Sequence, residues 1–143
     1  MRSKAVERFY LALVQGIPRK PQGTIDAPIG RDRHRSGLRR VSPTGEKAVT
    51  HYEVMESFDD AALVKLKLET GRTHQIRVHL TSIGHPLLGD KPYGGRPVAM
   101  NRQALHGSEL VFRHPFTRDI IRLNAPLPSE FSLLLEDLRH SRS

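Results

Sequence analysis

The chain has 143 residues, 37% of them hydrophobic, which suits one modest domain, residues 1–143, or part of a larger one. Lys and Arg number 23 against 15 acidic residues, a formal net charge of +8 that calls for a polyanionic partner. With no apolar run long enough to span a bilayer and no signal-like apolar opening, that partner is expected to be nucleic acid and not a membrane. The absence of cysteine excludes disulfides and thiolate metal sites and fits a reducing cytoplasm, the compartment expected.

Residues 6–14 read as a strand, with Phe9, Leu11 and Leu13 on one face and Arg8, Tyr10 and Ala12 on the other. A strand this apolar needs a neighbour on each side, and nothing in the chain precedes it. Gly16-Ile17-Pro18 ends it, and the Pro- and Gly-rich residues 18–29 read as connection. Residues 31–40, RDRHRSGLRR, carry five arginines, Arg31, Arg33, Arg35, Arg39 and Arg40. Such a run is either a solvated loop or, with Ser36 and Gly37 giving a mobile turn, a segment that folds onto a phosphate backbone. Ser42 to Gly45 make a turn. Residues 48–55 and 61–68 are two strands joined by a polar hairpin loop at 56–60.

The second of these strands delivers the chain into the central stretch, residues 66–95. Val64, Leu66 and Leu68 alternate with Lys65, Lys67 and Glu69, then the chain turns at Thr70-Gly71 and the period changes. Ile76, Leu80 and Ile83 form one stripe of a short helix, with Thr73 as N-cap, Gly84 as the C′ residue and Pro86 as the stop. His74, Arg77 and Thr81 share a second face. A helix start with Arg72 and Arg77 beside it attracts a phosphate or a carboxylate; the same residues also read as ordinary surface arginines beside a core helix. In the loop at 87–95, Asp90 reads either as an acid or as a carboxylate tying the loop to backbone N–H groups, the second being preferred.

Ala104-Leu105-His106 leads into a strand at 109–113, His114-Pro115 breaks it, and 118–123 closes a second hairpin. Ser129 caps a last helix whose Phe131, Leu134, Leu135 and Leu138 face the sheet, and residues 139–143 are expected to fray. The eight histidines do not make a metal site: His74 and His79 are five apart and face different ways, and the others are scattered. No P-loop, dinucleotide fingerprint or GxSxG elbow is present.

The string TGRTHQIRVHL followed by GHPLLGDKPYGG closely resembles the third motif of the RluA-type RNA pseudouridine synthases. ERFYLALVQG resembles the family's second motif, with Arg8 at its usual lysine and Tyr10 at its tyrosine. GEKAVTHYEV resembles its G-K-x-A-x-T-x-Y segment, and QALHGSELVFRHP its closing motif, with Leu105 and His106 as the L-H pair. The resemblance implies an α+β catalytic domain, a mainly antiparallel mixed sheet with a few packed helices. It implies isomerisation of uridine to pseudouridine in rRNA or tRNA, with neither metal nor organic cofactor, on a base flipped out of its stack. By position, Tyr10 lies against the target base, Arg77 pairs with the catalytic aspartate and keeps it ionised, and Leu105 lines the pocket floor. Arg72 and His74 fix the active-site turn or touch phosphate, and the loop at 31–40 grips RNA.

The family's nucleophilic aspartate belongs to an H-R-L-D-x-x-T-S-G segment upstream of the tyrosine strand, and these 143 residues contain no such segment. Asp26, Asp32, Asp59, Asp60, Asp90, Asp119 and Asp137 all stand in other contexts. The expectations are therefore an incomplete catalytic domain whose first strand begins beside a gap, an Arg77 without its anion, exposed apolar sheet surface, and no isomerase activity from this chain alone. A preceding segment or a separate chain would supply the aspartate. The alternatives are a non-catalytic RNA-binding module and a decayed gene fragment.

Overall fold

A computed structural model describes residues 6–100 and 102–140. Ten elements follow in chain order: strands β1 (Val6–Gln15), β2 (Gln22–Asp26), β3 (Ile29–Arg31), β4 (Arg39–Val41), β5 (Val49–Ser57) and β6 (Ala61–Leu68), helix α1 (Gln75–Ser82), strands β7 (Leu105–Arg113) and β8 (Ile120–Asn124), and helix α2 (Ser129–His140). A short 3-10 turn, Lys91–Tyr93, lies between α1 and β7. Six strands form one antiparallel sheet in the order β2-β5-β6-β1-β7-β8, and β3 pairs with β4 in a separate ribbon.

The period-2 patterns decide the two faces. Tyr10, Ala12 and Val14 of β1 share a face with Val64 and Leu66 of β6, and α1 lays Ile76 and Leu80 on it. Leu13 joins Leu63 and Ala61 on the opposite face, beneath Phe131, Leu134 and Leu135 of α2. The sheet is thus sandwiched between two helices, which supports burial of both faces of its central strands. The α2 stripe is as the sequence predicts, although the helix starts at Ser129 itself.

Several expectations need correction. The first strand does not begin beside a gap: β1 is central, paired along its length with β6 and β7 of the same chain. Residues 18–29 are more than connection. They hold β2, an edge strand paired with β5, and the start of β3, whose Ile29 is buried against Val78 and Tyr93. Of the 56–60 loop, Glu56 and Ser57 still belong to β5 and pair with Leu63 and Ala62. Arg139 does not fray: it lies in α2 and donates to both carboxylate oxygens of Glu56 at 2.9–3.2 Å. Residues 141–143 lie outside the described residues. Apolar edge surface is present as expected, with Ile120 and Leu123 of β8 each about half exposed.

Candidate active site

Where β6 ends, a polar knot replaces hydrophobic packing. The side chain of Gln75, the first residue of α1, is buried at the turn. Its Oε1 accepts from Thr70 Oγ1 at 2.6 Å and from the Arg72 N–H at 3.0 Å. Its Nε2 donates to the Val49 carbonyl at 3.0 Å and to Thr50 Oγ1 at 2.9 Å. All four capacities of the amide are used, so the turn is locked to β5 with nothing left unsatisfied. This is what starts the helix, and not Thr73. The N-cap position belongs to His74, at φ 57° with no side-chain cap. A left-handed non-glycine residue is strained by about 1–3 kcal/mol and persists only where its surroundings hold it. Gly84, at φ +89°, does sit past the helix end as predicted, but Ile83 is exposed and does not extend the buried stripe.

The same network continues inward. Thr50 Oγ1 lies 2.8 Å from His79 Nδ1, and His79 Nε2 lies 2.9 Å from the Ala27 carbonyl, which can only accept. The proton therefore sits on Nε2, and Nδ1 accepts from the threonine hydroxyl. Burial lowers the His79 pKa, against the smaller opposing pulls of the Ala27 carbonyl and the Asp26 charge, and this favours that neutral form.

Arg77 is not without an anion. Its Nε and Nη2 donate to the two carboxylate oxygens of Asp90 at 3.0 and 2.9 Å. Asp90 is fully buried, so it serves neither as a surface acid nor as a tie to backbone N–H groups: its carboxylate answers the guanidinium. The guanidinium also stacks over Tyr93, 4.9 Å from the ring centroid. The Tyr93 hydroxyl accepts the Arg39 N–H at 2.9 Å and lies 2.7 Å from His74 Nδ1. Burial, then the charges of Arg77 and Arg39, lower the His74 pKa, so His74 is a neutral acceptor of the phenol proton at pH 7. This contact holds the strained residue in place.

The arginines of residues 31–40 divide. Arg35 donates to the Pro92 carbonyl at 2.8 Å and pairs with Asp32, whose carboxyl is held low chiefly by the N–H of His34. The segment is therefore tethered to the 3-10 turn, and its ends are the β3–β4 ribbon instead of a freely mobile loop. The side chains of Arg31, Arg33 and Arg40 are exposed. Arg72 donates from Nε to the Lys47 carbonyl at 2.7 Å and stands 3.9 Å from Glu46, so it braces the turn.

Tyr10 and Leu105 come together on the α1 face of the sheet, both against the cluster that contains Ile76 and Leu80. The register shift opposite Phe9 and Tyr10 sets Gly107 beside the tyrosine. There a Cβ would lie 3.4 Å from the Tyr10 ring, so the glycine leaves room along its edge. An open groove of about 320 Å³ runs past Tyr10, Arg8, Gly107 and Leu123. Neither Arg77 nor Leu105 is among its lining residues; Arg8 is, and its Nη1 is also the neighbour that a Cβ at Gly71 would meet, at 3.1 Å. Sequence reasoning placed Arg8 at a motif position without assigning it a role, and gave Gln75 none, although Gln75 holds the turn.

Among the described residues no cluster of His, Asp or Glu has metal-holding geometry, and no helix is long and apolar enough to cross a membrane. A family model described as RNA pseudouridylate synthase matches residues 1–82. The chain is 50% identical over 136 residues to "Uncharacterized RNA pseudouridine synthase YhcT" of Bacillus subtilis, covering 94% of this chain and 45% of that protein. It is 43% identical to the "Ribosomal large subunit pseudouridine synthase D" of Haemophilus influenzae, covering 97% and 47%. Among solved structures, "Human RNA Pseudouridylate Synthase Domain Containing 4" superposes with a TM-score of 0.79 at 28% identity, covering 96% of this chain and 64% of that one. The chain spans about half the length of the curated relatives it matches. With more than half of its residues inside the family model, and with the antiparallel sheet and two packed helices of its structural neighbours, the chain belongs to the RluA-type RNA pseudouridine synthases.

Proposed function

We propose that these 143 residues form the base-holding and RNA-binding part of a catalytic domain that isomerises uridine to pseudouridine in rRNA or tRNA. The observation that carries this reading is the shared face: Tyr10 and Leu105 pack against one cluster on the same side of the sheet, with an open groove beside the tyrosine. A uridine flipped from its stack would lie against the Tyr10 ring with Leu105 beneath it. Arg77 spends two of its five N–H donors on Asp90, and a nucleophilic carboxylate would take the remaining edge. Arg31, Arg33 and Arg40 would contact phosphates, while Arg35, Arg39, Arg72 and His74 keep the turn and the arginine segment in place.

In this reading the chain alone binds RNA and does not isomerise it. In it the nucleophile is an aspartate brought by a further segment or another chain, a reading supported by the chain's own carboxylates being engaged elsewhere: Asp90 is buried on Arg77, Asp60 is paired with Arg96, and Asp32 caps its own turn. The purified chain is expected to release no tritium from 5-tritiated rRNA, yet to bind RNA with a salt-dependent affinity. Turnover by the chain alone would overturn the assignment of the nucleophile, and failure to bind RNA would overturn the whole reading. A second reading, a non-catalytic RNA-binding module, is favoured by the neutralisation of Arg77 within the chain. Tritium release restored by adding a polypeptide with the H-R-L-D segment would eliminate it.

A further inference from the structure

At the far end of α1 from the Gln75 turn lies a second groove, of about 260 Å³, lined by Arg19, Lys20, Gly23, Tyr52, Ile83 and His85. Its chemistry is unlike that of a packing defect. Arg19 and Lys20 are both exposed, and neither has an ion pair or hydrogen bond among the described residues. The Tyr52 hydroxyl likewise makes no hydrogen bond among them. The Tyr52 ring lies across Gly23: a Cβ there would come within 2.8–3.0 Å of three ring and hydroxyl atoms, so only glycine lets the ring rest there. His85 commits Nδ1 to the Gln15 carbonyl at 2.9 Å, and its Nε2 has no hydrogen bond among the described residues. Ile83, the residue expected in the buried stripe, is exposed here instead. The carbonyls at this helix end are already taken by the N–H groups of Ile83, Gly84 and His85, so the terminus presents few bare acceptors to repel an anion.

An aromatic ring fixed in place, an apolar side chain and two unpaired cations are the parts of a single-strand nucleic-acid subsite: a platform for an unstacked base and charges for its phosphates. We propose that this groove holds a single-stranded nucleotide flanking the target, stacked on Tyr52 with its phosphates on Arg19 and Lys20. Tyr52 stands opposite Leu66, which stands opposite Tyr10 on its other side, and both tyrosines pack against the same cluster, so one RNA strand running across this face of the sheet passes both places. The inference rests on the proposed RNA-binding function and adds a second anchoring point to it.

The test uses the 143-residue chain and a fluorescein-labelled single-stranded uridine decamer, read by anisotropy across a salt series. Arg19→Gln/Lys20→Gln should lower the slope of log affinity against log salt by about 1.4, two phosphates at about 0.7 each. Tyr52→Leu should weaken binding by at least about fivefold, Tyr52→Phe should not, and the Tyr52→Leu loss should vanish on a decamer of abasic sugar-phosphate. Because Tyr52 also touches the core, its variants are compared by thermal melting, while the exposed double variant stands without that concern. Binding within twofold of wild type and an unchanged slope for the double variant would overturn the groove and leave the catalytic-face reading intact. No binding by the wild type would remove both. Loss of binding to phosphatidylserine vesicles, with decamer binding unchanged, would assign the cations to a membrane and overturn the proposal.

Discussion

The Arg77–Asp90 pair gives the sharpest test of the site's architecture. Both carboxylate oxygens are used, at 2.9 and 3.0 Å, and the Asp90 side chain has no exposed surface while that of Arg77 has 15%. Asp90→Asn preserves shape but sets an amide NH₂ against guanidinium donors and leaves a mostly buried cation without its counter-charge. Removing one partner of a buried pair costs about 3–5 kcal/mol. The amide oxygen still accepts one bond, and Arg77 keeps its contact with Tyr93, so the low end, about 3 kcal/mol, is expected. With a urea slope of about 2 kcal/mol/M, that moves the unfolding midpoint down by about 1.5 M. Arg77→Met should cost a comparable amount, and the double variant less than the sum of the two, with a coupling of at least about 1 kcal/mol. A midpoint within about 0.3 M of wild type for Asp90→Asn, or strict additivity in the cycle, would refute a buried, mutually dependent pair.

Three further outcomes are expected. His79 and His74 have lowered pKa values in the folded chain, so the unfolded chain binds their protons first. Stability should be complete above about pH 6.5 and fall as the pH drops below that value, by up to about 1.4 kcal/mol per unit for each group; His79→Gln should flatten a plot of urea midpoint against pH between 7 and 5.5. Gln75→Leu should destabilise by at least about 2 kcal/mol, because it takes the acceptor from the Thr70 hydroxyl and from the Arg72 N–H and one bond each from Thr50 Oγ1 and the Val49 carbonyl, and amide exchange at Arg72 should quicken. Gly95→Ala should cost about 1–3 kcal/mol by thermal melting, since a Cβ there overlaps the Leu87 carbonyl oxygen.

The elements legible in the sequence were those whose side-chain period is long enough to count. β1, β5, β6 and α2 each run for eight residues or more with a regular apolar period, and that pattern survives folding because burial dictates it. β2, β3 and β4 were not legible. They have three to five residues among prolines and glycines, too few to show a period; β2 exists because a partner distant in sequence, His51 for Thr24, supplies its ladder, and β3 and β4 exist only as partners of one another. At the site, the motif strings located Tyr10, Leu105 and the α1 turn, yet the partners stayed hidden. Nothing in spacing says that Asp90 closes on Arg77, or that Gln75 rather than Thr73 organises the helix start. These are contacts made by folding loops onto one another, with no period to betray them.

The central place of β1 has a consequence for synthesis on the ribosome. Of the described strands, β1 leaves the exit tunnel earliest, yet its partners on both sides emerge much later: Tyr10 must wait for Leu66 on one flank and Gly107 on the other. Pairings so distant along the chain form slowly, and until β7 appears one edge of this apolar strand stays open to other nascent chains or to a holdase. Protease protection of β1 on arrested nascent chains should therefore rise in two steps, one as β6 clears the ribosome and a second as β7 does.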